Sequence, residues 1–485
     1  MQLHDLLSGL EVLEVVGDPH VEVTEVTHDS RLVAPGACFA CIRGETSDGH
    51  DHAPAAVESG ASALLVERRL PVAVTQARVA DVRTVLGPVA ARCHGEPSRA
   101  LSCLGITGTN GKTTATHLLE AIGQAAGFRT GLIGTLGARI AGEELPGVLT
   151  TPEASDLQAL LARMRDAGVG LVAMEVSSHA LVQRRVDGTR FRVACFTNLS
   201  PEHLDFHGSL EAYFEAKASL FDPTRAAAAA VNIDDPRGPV LARRATARGL
   251  EVKTFGMEGP AAAVSAEVVE AGPATRFVLR ADGWRTVIQS PLIGRFNVSN
   301  SLAAAATALA AGIPFTAVAD GLQAPIRIPG RLERVDAGQP FFVLVDYAHS
   351  PDALRRVLGV ARGLAGDGRV LVVFGAGGDR DREKRPQMGR AVGEAADVAV
   401  LTSDNPRSED PAAIAAAVKP GLEAAGVKFT IELDRRAAIR QTFNEAAPGD
   451  VVVIAGKGHE TGQTAKGVTR PFDDRAVARE ELAGL

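Results

Sequence analysis

The sequence predicts an α/β protein of three domains, and three observations lead to that reading. A chain of 485 residues exceeds one ordinary hydrophobic core, which divides beyond roughly 250–300 residues. From Leu101 onward, short apolar runs alternate with helical stretches, the pattern of strands that pair in parallel beneath covering helices. Glycine-rich and charged turns follow those runs, at the strand ends where open α/β sheets bind ligands.

Residues 1–97 read as a small N-terminal α/β module. A short amphipathic helix is followed by strands and turns rich in Gly and Pro, with helices at Ala53–Ser59 and Val85–His94. The linker His94-Gly95-Glu96-Pro97-Ser98 ends it. Residues 98–329 form a central domain with a mostly parallel sheet. Its strands are expected at 101–106, 130–133, 169–174, 192–197 and 228–233, with helices such as 153–167 and 209–221 between them. Antiparallel strands follow near 263–293, then an alanine-rich helix at Asn297–Ala311. The polyalanine at 226–230 reads as buried packing beside a strand. Residues 330–485 form a C-terminal doubly wound, Rossmann-like domain. Its strands are expected at 341–345, 369–374, 397–401 and 450–455, and its helices near 352–364, 385–396, 411–424 and 435–446.

A content of 46% hydrophobic and 22% charged residues describes a soluble globular chain. No stretch approaches the ~20 apolar residues of a membrane span, and no signal peptide opens the chain. The expectation is a cytoplasmic protein without membrane contact. Five cysteines, an odd number, agree with a reducing compartment. Cys38 and Cys41 form a Cys-x-x-Cys pair with no second pair to complete a zinc site, and read as small residues of a strand and turn. A net charge of −7 argues against nucleic-acid binding, so phosphate-bearing substrates need local cations. Only eight of the 51 basic residues are lysine, and Lys112, Lys217, Lys384 and Lys457 each fall in an unusual local sequence.

Lys112 lies in Gly105-Ile106-Thr107-Gly108-Thr109-Asn110-Gly111-Lys112-Thr113-Thr114, between a strand-like run and a helix expected at His117–Ala126. A glycine-rich turn there aims backbone N–H groups at an anion, with a helix N-terminus behind them. Lys112 then reaches the outer phosphates of a nucleoside triphosphate, and the Thr113 hydroxyl is placed for Mg²⁺. The usual motif has glycine where Ile106 stands, so Gly108 must make the tight turn of a variant P-loop.

Glu175 follows the run Leu171–Met174 and opens Glu175-Val176-Ser177-Ser178-His179. Asn198 follows Val193–Thr197 and opens a segment containing His203 and His207. A carboxylate and an imidazole at adjacent strand ends make a Mg²⁺ site, and capping of the next helices by Ser and Asp is the alternative. Lys217 stands open between a surface lysine and an amine that takes up CO₂ to give an anionic carbamate ligand.

Asp346 in Val345–Asp352 is placed to bond a ribose or a water, and His349 to approach phosphate. Gly375–Pro386 interleaves glycines with charges. Asp404-Asn405-Pro406-Arg407 and Gly456-Lys457-Gly458-His459-Glu460 follow neighbouring strands, bringing Arg380, Arg407, Asp404 and Glu460 to one sheet edge. Two cations and two carboxylates suit a zwitterionic amino acid. Arg407 would clamp a carboxylate and Glu460 accept from an ammonium; a protein-only salt-bridge network is the rival.

With these motifs in order, the chain resembles the Mur ligase family, ATP-dependent amino-acid ligases of peptidoglycan precursor synthesis. The resemblance covers nearly the whole chain and rests on Gly108–Thr114, Glu175–His179, Asn198–His207, Tyr213–Lys217, Gly294–Asn300, Pro329–Glu333, Asp346–Asp352 and Gly377–Pro386. Asp404–Arg407 looks like the signature of members that add meso-diaminopimelate to UDP-N-acetylmuramoyl-L-alanyl-D-glutamate. The resemblance implies ATP held by Gly108, Thr109, Asn110, Gly111, Lys112, Thr113 and Thr114, with Asn297, Asn300, Arg331 and Asp346. It implies one Mg²⁺ at Thr113 and Glu175, and a second supported by His203 and carbamylated Lys217, with His349 near the phosphates. It assigns Ser30 to the UDP end and Thr150, Thr151, Ser177, Gln183 and Arg185 to the muramoyl peptide. Arg380, Asp404, Asn405, Pro406, Arg407, Gly456 and Glu460 fall to the amino acid. Catalysis would rest on Lys112, Lys217, His203 and His349, in a monomer acting on small molecules. Where some relatives have asparagine before the two threonines this chain has Leu149, and Cys41-Ile42-Arg43-Gly44 shows no clear match to their uracil-side loop. A lysine-adding relative, a folylpolyglutamate-type ligase, a small-molecule kinase and a non-catalytic nucleotide-sugar binder are the rivals. Arg407 argues against the first, and intact Lys112, Glu175, His203 and Lys217 against the last.

Overall fold

The computed structural model describes residues 1–44, 47–147, 149–257, 262–271 and 274–484. It shows three α/β bodies, each around its own sheet, and the chain divides into two compact units. The first unit holds Met1–Leu199, His207–Ser265 and Leu302–Gly321; the second holds Ser200–Phe206, Ala266–Ser301 and Leu322–Leu485.

In the first unit, five strands run in the order Glu14–Val16, Thr75–Arg78, Ala63–Val66, Cys38–Ala40 and Val26–Thr27, parallel except for the first. Alternate side chains along them supply separate cores. Cys38, Ala40, Ala63 and Leu65 pack with helices Leu3–Leu7 and Val82–Cys93, and Phe39, Leu64 and Val66 with helix Ala53–Glu58. Cys38 and Cys41 are free and buried, as small interior residues should be.

The central sheet of that unit crosses Glu143–Leu145, Gly137–Ile140, Thr130–Gly134, Leu171–Glu175, Ser102–Thr107, Phe191–Phe196, Ala226–Asn232 and Glu251–Gly256. Only the first two joins are antiparallel. The expected strands are present, with two corrections. Ala226–Ala230 lie within a strand rather than beside one, because pairing and burial on both sides override alanine's weak strand preference. The P-loop helix spans Lys112–Ala125, starting five residues before the expected His117, so that its first N–H groups face the loop.

In the second unit, Thr275–Ala281 and Trp284–Ser290 form an antiparallel hairpin. Six further strands lie in the order Glu333–Val335, Phe342–Asp346, Val451–Ala455, Val370–Phe374, Val398–Leu401 and Lys428–Ile431, parallel except for the first pair. Their side chains alternate between two cores. Leu344, Val372 and Val453 meet helices Pro351–Ala365, Lys384–Gly393 and Pro411–Ala425, whereas Val343, Val373 and Val452 meet Arg435–Glu445 and Asp474–Leu482. A hairpin of Gly462–Ala465 and Val468–Pro471 follows the strand Val451–Ala455. Among the described residues, no helix is long and apolar enough to cross a membrane.

Candidate active site

Ile106, at the usual glycine position, is a fully buried strand residue paired in register with Glu175. The turn therefore starts at Gly108, whose φ of +148° and missing side chain are both required. A Cβ there would lie 1.9 Å from Thr197 Oγ1. The neighbouring strand's end holds the loop in shape. Asn110 N donates to Asn198 Oδ1 at 2.9 Å, and Thr197 Oγ1 donates to Asn110 O at 2.7 Å. Lys112 Nζ donates to the carbonyls of Gly108 and Thr109, each at 2.9 Å, lying along the loop it would share with phosphate.

Glu175 is 1% exposed and ends its strand beside this loop. Its Oε2 accepts from Thr113 Oγ1 at 3.1 Å, and its Oε1 accepts from Thr135 N at 2.8 Å. A hydroxyl and a carboxylate side by side supply the oxygen donors that Mg²⁺ prefers, so these residues fit the ion. Among the described residues, no group of three or more His, Cys, Asp or Glu is placed to hold a metal.

The residues assigned to the muramoyl peptide join the same network. Thr135 Oγ1 and Thr150 Oγ1 are 3.1 Å apart, and Thr151 Oγ1 donates to Glu175 O at 2.9 Å while accepting from Ser177 N at 3.1 Å. Arg185 donates to Thr151 O at 3.2 Å and to Gln183 Oε1 at 2.5 Å. Three participants were missed. Thr135 follows a sheet strand, a position that could have flagged it. Glu153 pairs with Arg185 at 2.9 Å and Arg83 at 3.1 Å, contacts that no local motif announces. Ser30 opens a short turn that the Asp29 side chain caps.

Lys217 is 1% exposed, which excludes the surface reading. Its Nζ donates to Gly108 O at 2.8 Å and sits 4.3 Å from the centre of the Tyr213 ring. The lysine thus touches the P-loop turn itself.

In the second unit, Asn297 and Asn300 occupy successive turns of one helix, with Asn300 Nδ2 donating to Asn297 Oδ1 at 2.9 Å. Asp346 is buried, which pushes its carboxyl up, with the Arg331 guanidinium opposing. Its Oδ2 accepts from Leu332 N at 2.7 Å, while Arg331 stacks 5.0 Å from the Tyr347 ring centre. His459 packs 4.8 Å from the same ring, and burial together with Arg331 pulls its imidazole down to about 4. His349 Nε2 lies 3.6 Å from Glu202 and His203 Nε2 lies 4.0 Å from it, so two of the expected catalytic imidazoles flank one carboxylate. His203 has a left-handed φ of 56°.

The loop Asp404–Arg407 meets Gly377–Gly378 and Gly456–Glu460 at the C-terminal ends of three neighbouring strands. Arg407 Nη1 donates to Gly378 O at 2.6 Å from a left-handed backbone, φ 53°. A Cβ on Gly456 would lie 2.4 Å from Asp404 Oδ2, so that carboxylate comes close only because glycine is there. Arg380 is exposed. Glu460 Oε2 accepts both from Lys457 Nζ at 2.8 Å and from Asn405 Nδ2 at 2.7 Å. The carboxylate expected to receive a ligand ammonium is thus also a member of a protein-only network.

Residues 22–100 match the Mur ligase family catalytic domain, 106–308 the Mur ligase middle domain and 330–458 the Mur ligase glutamate ligase domain. A UDP-N-acetylmuramoyl-L-alanyl-D-glutamate--2,6-diaminopimelate ligase of Streptomyces coelicolor is 49% identical over 96% of this chain and 93% of its own. A ligase of the same name from Solibacter usitatus is 45% identical over 100% and 99%. A solved structure carrying that enzyme name aligns with a TM-score of 0.71 at 34% identity, over 100% of this chain and 99% of its own. With the P-loop, Glu175 and the Asp404–Arg407 loop in the geometry described, these matches establish that the chain belongs to the Mur ligase family.

Proposed function

We propose that this chain is an ATP-dependent amide ligase that joins meso-2,6-diaminopimelate to the D-glutamyl side-chain carboxylate of UDP-N-acetylmuramoyl-L-alanyl-D-glutamate. The observation that carries the reading is the clustering of Arg407, Asn405, Asp404 and Glu460 at neighbouring strand ends. Similarity to the Streptomyces coelicolor enzyme over 96% of this chain supports it. Diaminopimelate has a distal carboxylate where lysine has only an ammonium. Arg407 pairs with the first and repels the second, a discrimination of ~2–5 kcal/mol if the pair is desolvated.

Carboxylate and ammonium do not condense in neutral water, so the carboxylate is first converted to an acyl phosphate by the γ-phosphate of ATP. Lys112 and the N–H groups of Gly108–Thr114 hold the phosphates and offset the charge that develops on them. Thr113 and Glu175 would hold Mg²⁺, with His203 and carbamylated Lys217 supporting a second ion; the metal supplies charge neutralisation at the phosphates. Asn297, Asn300, Arg331 and Asp346 hold the nucleoside, with His349 toward the phosphates. Ser30 holds the UDP end, and Thr150, Thr151, Ser177, Gln183 and Arg185 orient the peptide. The amine of diaminopimelate then attacks the acyl carbon, and phosphate leaves from a tetrahedral intermediate. We assign residues 1–97, 98–329 and 330–485 to nucleotide-sugar, ATP and amino-acid binding, and the protein to the cytoplasm as a monomer.

The test is phosphate release from ATP and Mg²⁺ with the UDP-dipeptide, comparing meso-diaminopimelate with L-lysine. Release with diaminopimelate and a product mass equal to the tripeptide adduct is expected. Preference for lysine overturns the specificity, and silence with both overturns the ligase.

A further inference from the structure

We propose that Lys457 is the positioning residue of the amino-acid subsite. Its ammonium locks Asn405 and Glu460 in one arrangement and anchors the hairpin that holds the backbone of Arg407. The inference rests on the reading of Asp404–Arg407 as that subsite.

Lys457 is 0% exposed. Its three N–H groups meet three acceptors: Asn405 Oδ1 at 3.1 Å, Glu460 Oε2 at 2.8 Å and Gly462 O at 2.6 Å. A buried ammonium persists only with such a full set. Asn405 Oδ1 also accepts from Thr464 N at 2.9 Å. Two donors on that oxygen forbid the flipped amide, so Nδ2 has to face Glu460. Glu460 Oε2 is thereby saturated, and Oε1 is the oxygen left for an incoming ammonium.

Gly462, held by Lys457, opens the hairpin that braces the specificity loop. Gln463 Nε2 donates to Asp404 O at 2.8 Å, and Arg407 N donates to Thr464 O at 2.9 Å. Lys466 N donates to Arg407 O at 2.5 Å. These bonds grip Arg407 on both sides of its left-handed φ, a conformation that a non-glycine residue keeps only when its surroundings impose it. Without the ammonium, Glu460, the Gly462 carbonyl and the Asn405 amide oxygen each lose a donor, and the Asn405 amide keeps only Thr464 N to fix its orientation at that oxygen. Arginine is no substitute, because its planar fork cannot direct three donors at these converging acceptors.

The test compares Lys457→Met, Lys457→Arg and Gln463→Leu with the unaltered chain, varying diaminopimelate, ATP and UDP-dipeptide in turn. Lys457→Met is expected to raise KM for diaminopimelate about tenfold or more, with the other two KM values within about twofold, and to narrow the preference over lysine. Lys457→Arg does not restore it. Gln463→Leu, which spares the buried charge, gives the same pattern at about threefold and decides the matter if Lys457→Met does not fold. A fall in kcat with the diaminopimelate KM unchanged, or an equal rise in all three KM values, in whichever variants fold, overturns the proposal. An unaltered chain that releases no phosphate with any amino acid overturns the underlying ligase reading instead.

Discussion

Thr113 Oγ1 stands 3.1 Å from Glu175 Oε2, so the residue after the P-loop lysine and the last residue of the neighbouring strand share one hydrogen bond. Parallel register brings this about. Glu175 pairs with Ile106, and both strands end where the loop begins. Glu175→Gln keeps the shape and removes the charge. Phosphate release should fall by about 10–100-fold, with a compensating demand for higher Mg²⁺ and little change in melting temperature. Full activity at low Mg²⁺ would show that the carboxylate does not serve the ion.

Arg407→Leu removes the cation proposed to read the distal carboxylate. The ratio of kcat/KM for diaminopimelate over L-lysine should drop by about 10²–10³-fold, mainly through lost diaminopimelate use. Competition assays with both amino acids measure this directly. An unchanged ratio would place the discrimination elsewhere.

Gly108→Ala tests the turn. The added carbon meets Thr197 Oγ1 at 1.9 Å and takes a φ that alanine rarely adopts. The clash and strain together should cost about 2–4 kcal/mol, seen as a lower urea midpoint, and nucleotide-induced thermal stabilisation should vanish. Gly127→Ala also has a left-handed φ but no atom within 4 Å of the new carbon, so it isolates the strain alone.

His459 ties stability to pH. Its folded pKa of about 4 lies below the ordinary 6.5, so the unfolded chain binds this proton more readily. The stabilising contribution is whole above 6.5 and is lost as pH falls toward 4. Thermal melts across that window should show a shallower loss for His459→Gln than for the unaltered chain. Parallel curves would mean that the imidazole titrates normally.

Much of this was legible in the chain. The Lys-Thr pair, Glu175, the twin threonines and Asp404–Arg407 stand in local motifs, because a loop that binds phosphate or an amino acid is built from adjacent residues. Lys457 was noticed for its setting and gained a role only from its partners Asn405 and Gly462, the first 52 positions away. Nothing local marks Glu153, since its meaning lies in Arg83 and Arg185.

By itself the sequence determined the order of strands and helices, the variant turn at Gly108 and the chemical type of each loop. Periodicity, backbone permissiveness and charge are properties of short segments, so a short segment reveals them. Only the tertiary structure decided that Lys217 is buried against the Gly108 carbonyl, that Glu460 shares its carboxylate with Lys457, and that a hairpin braces Arg407. Those outcomes follow from strand order and register, which bring distant residues within hydrogen-bond reach and which local patterns do not encode.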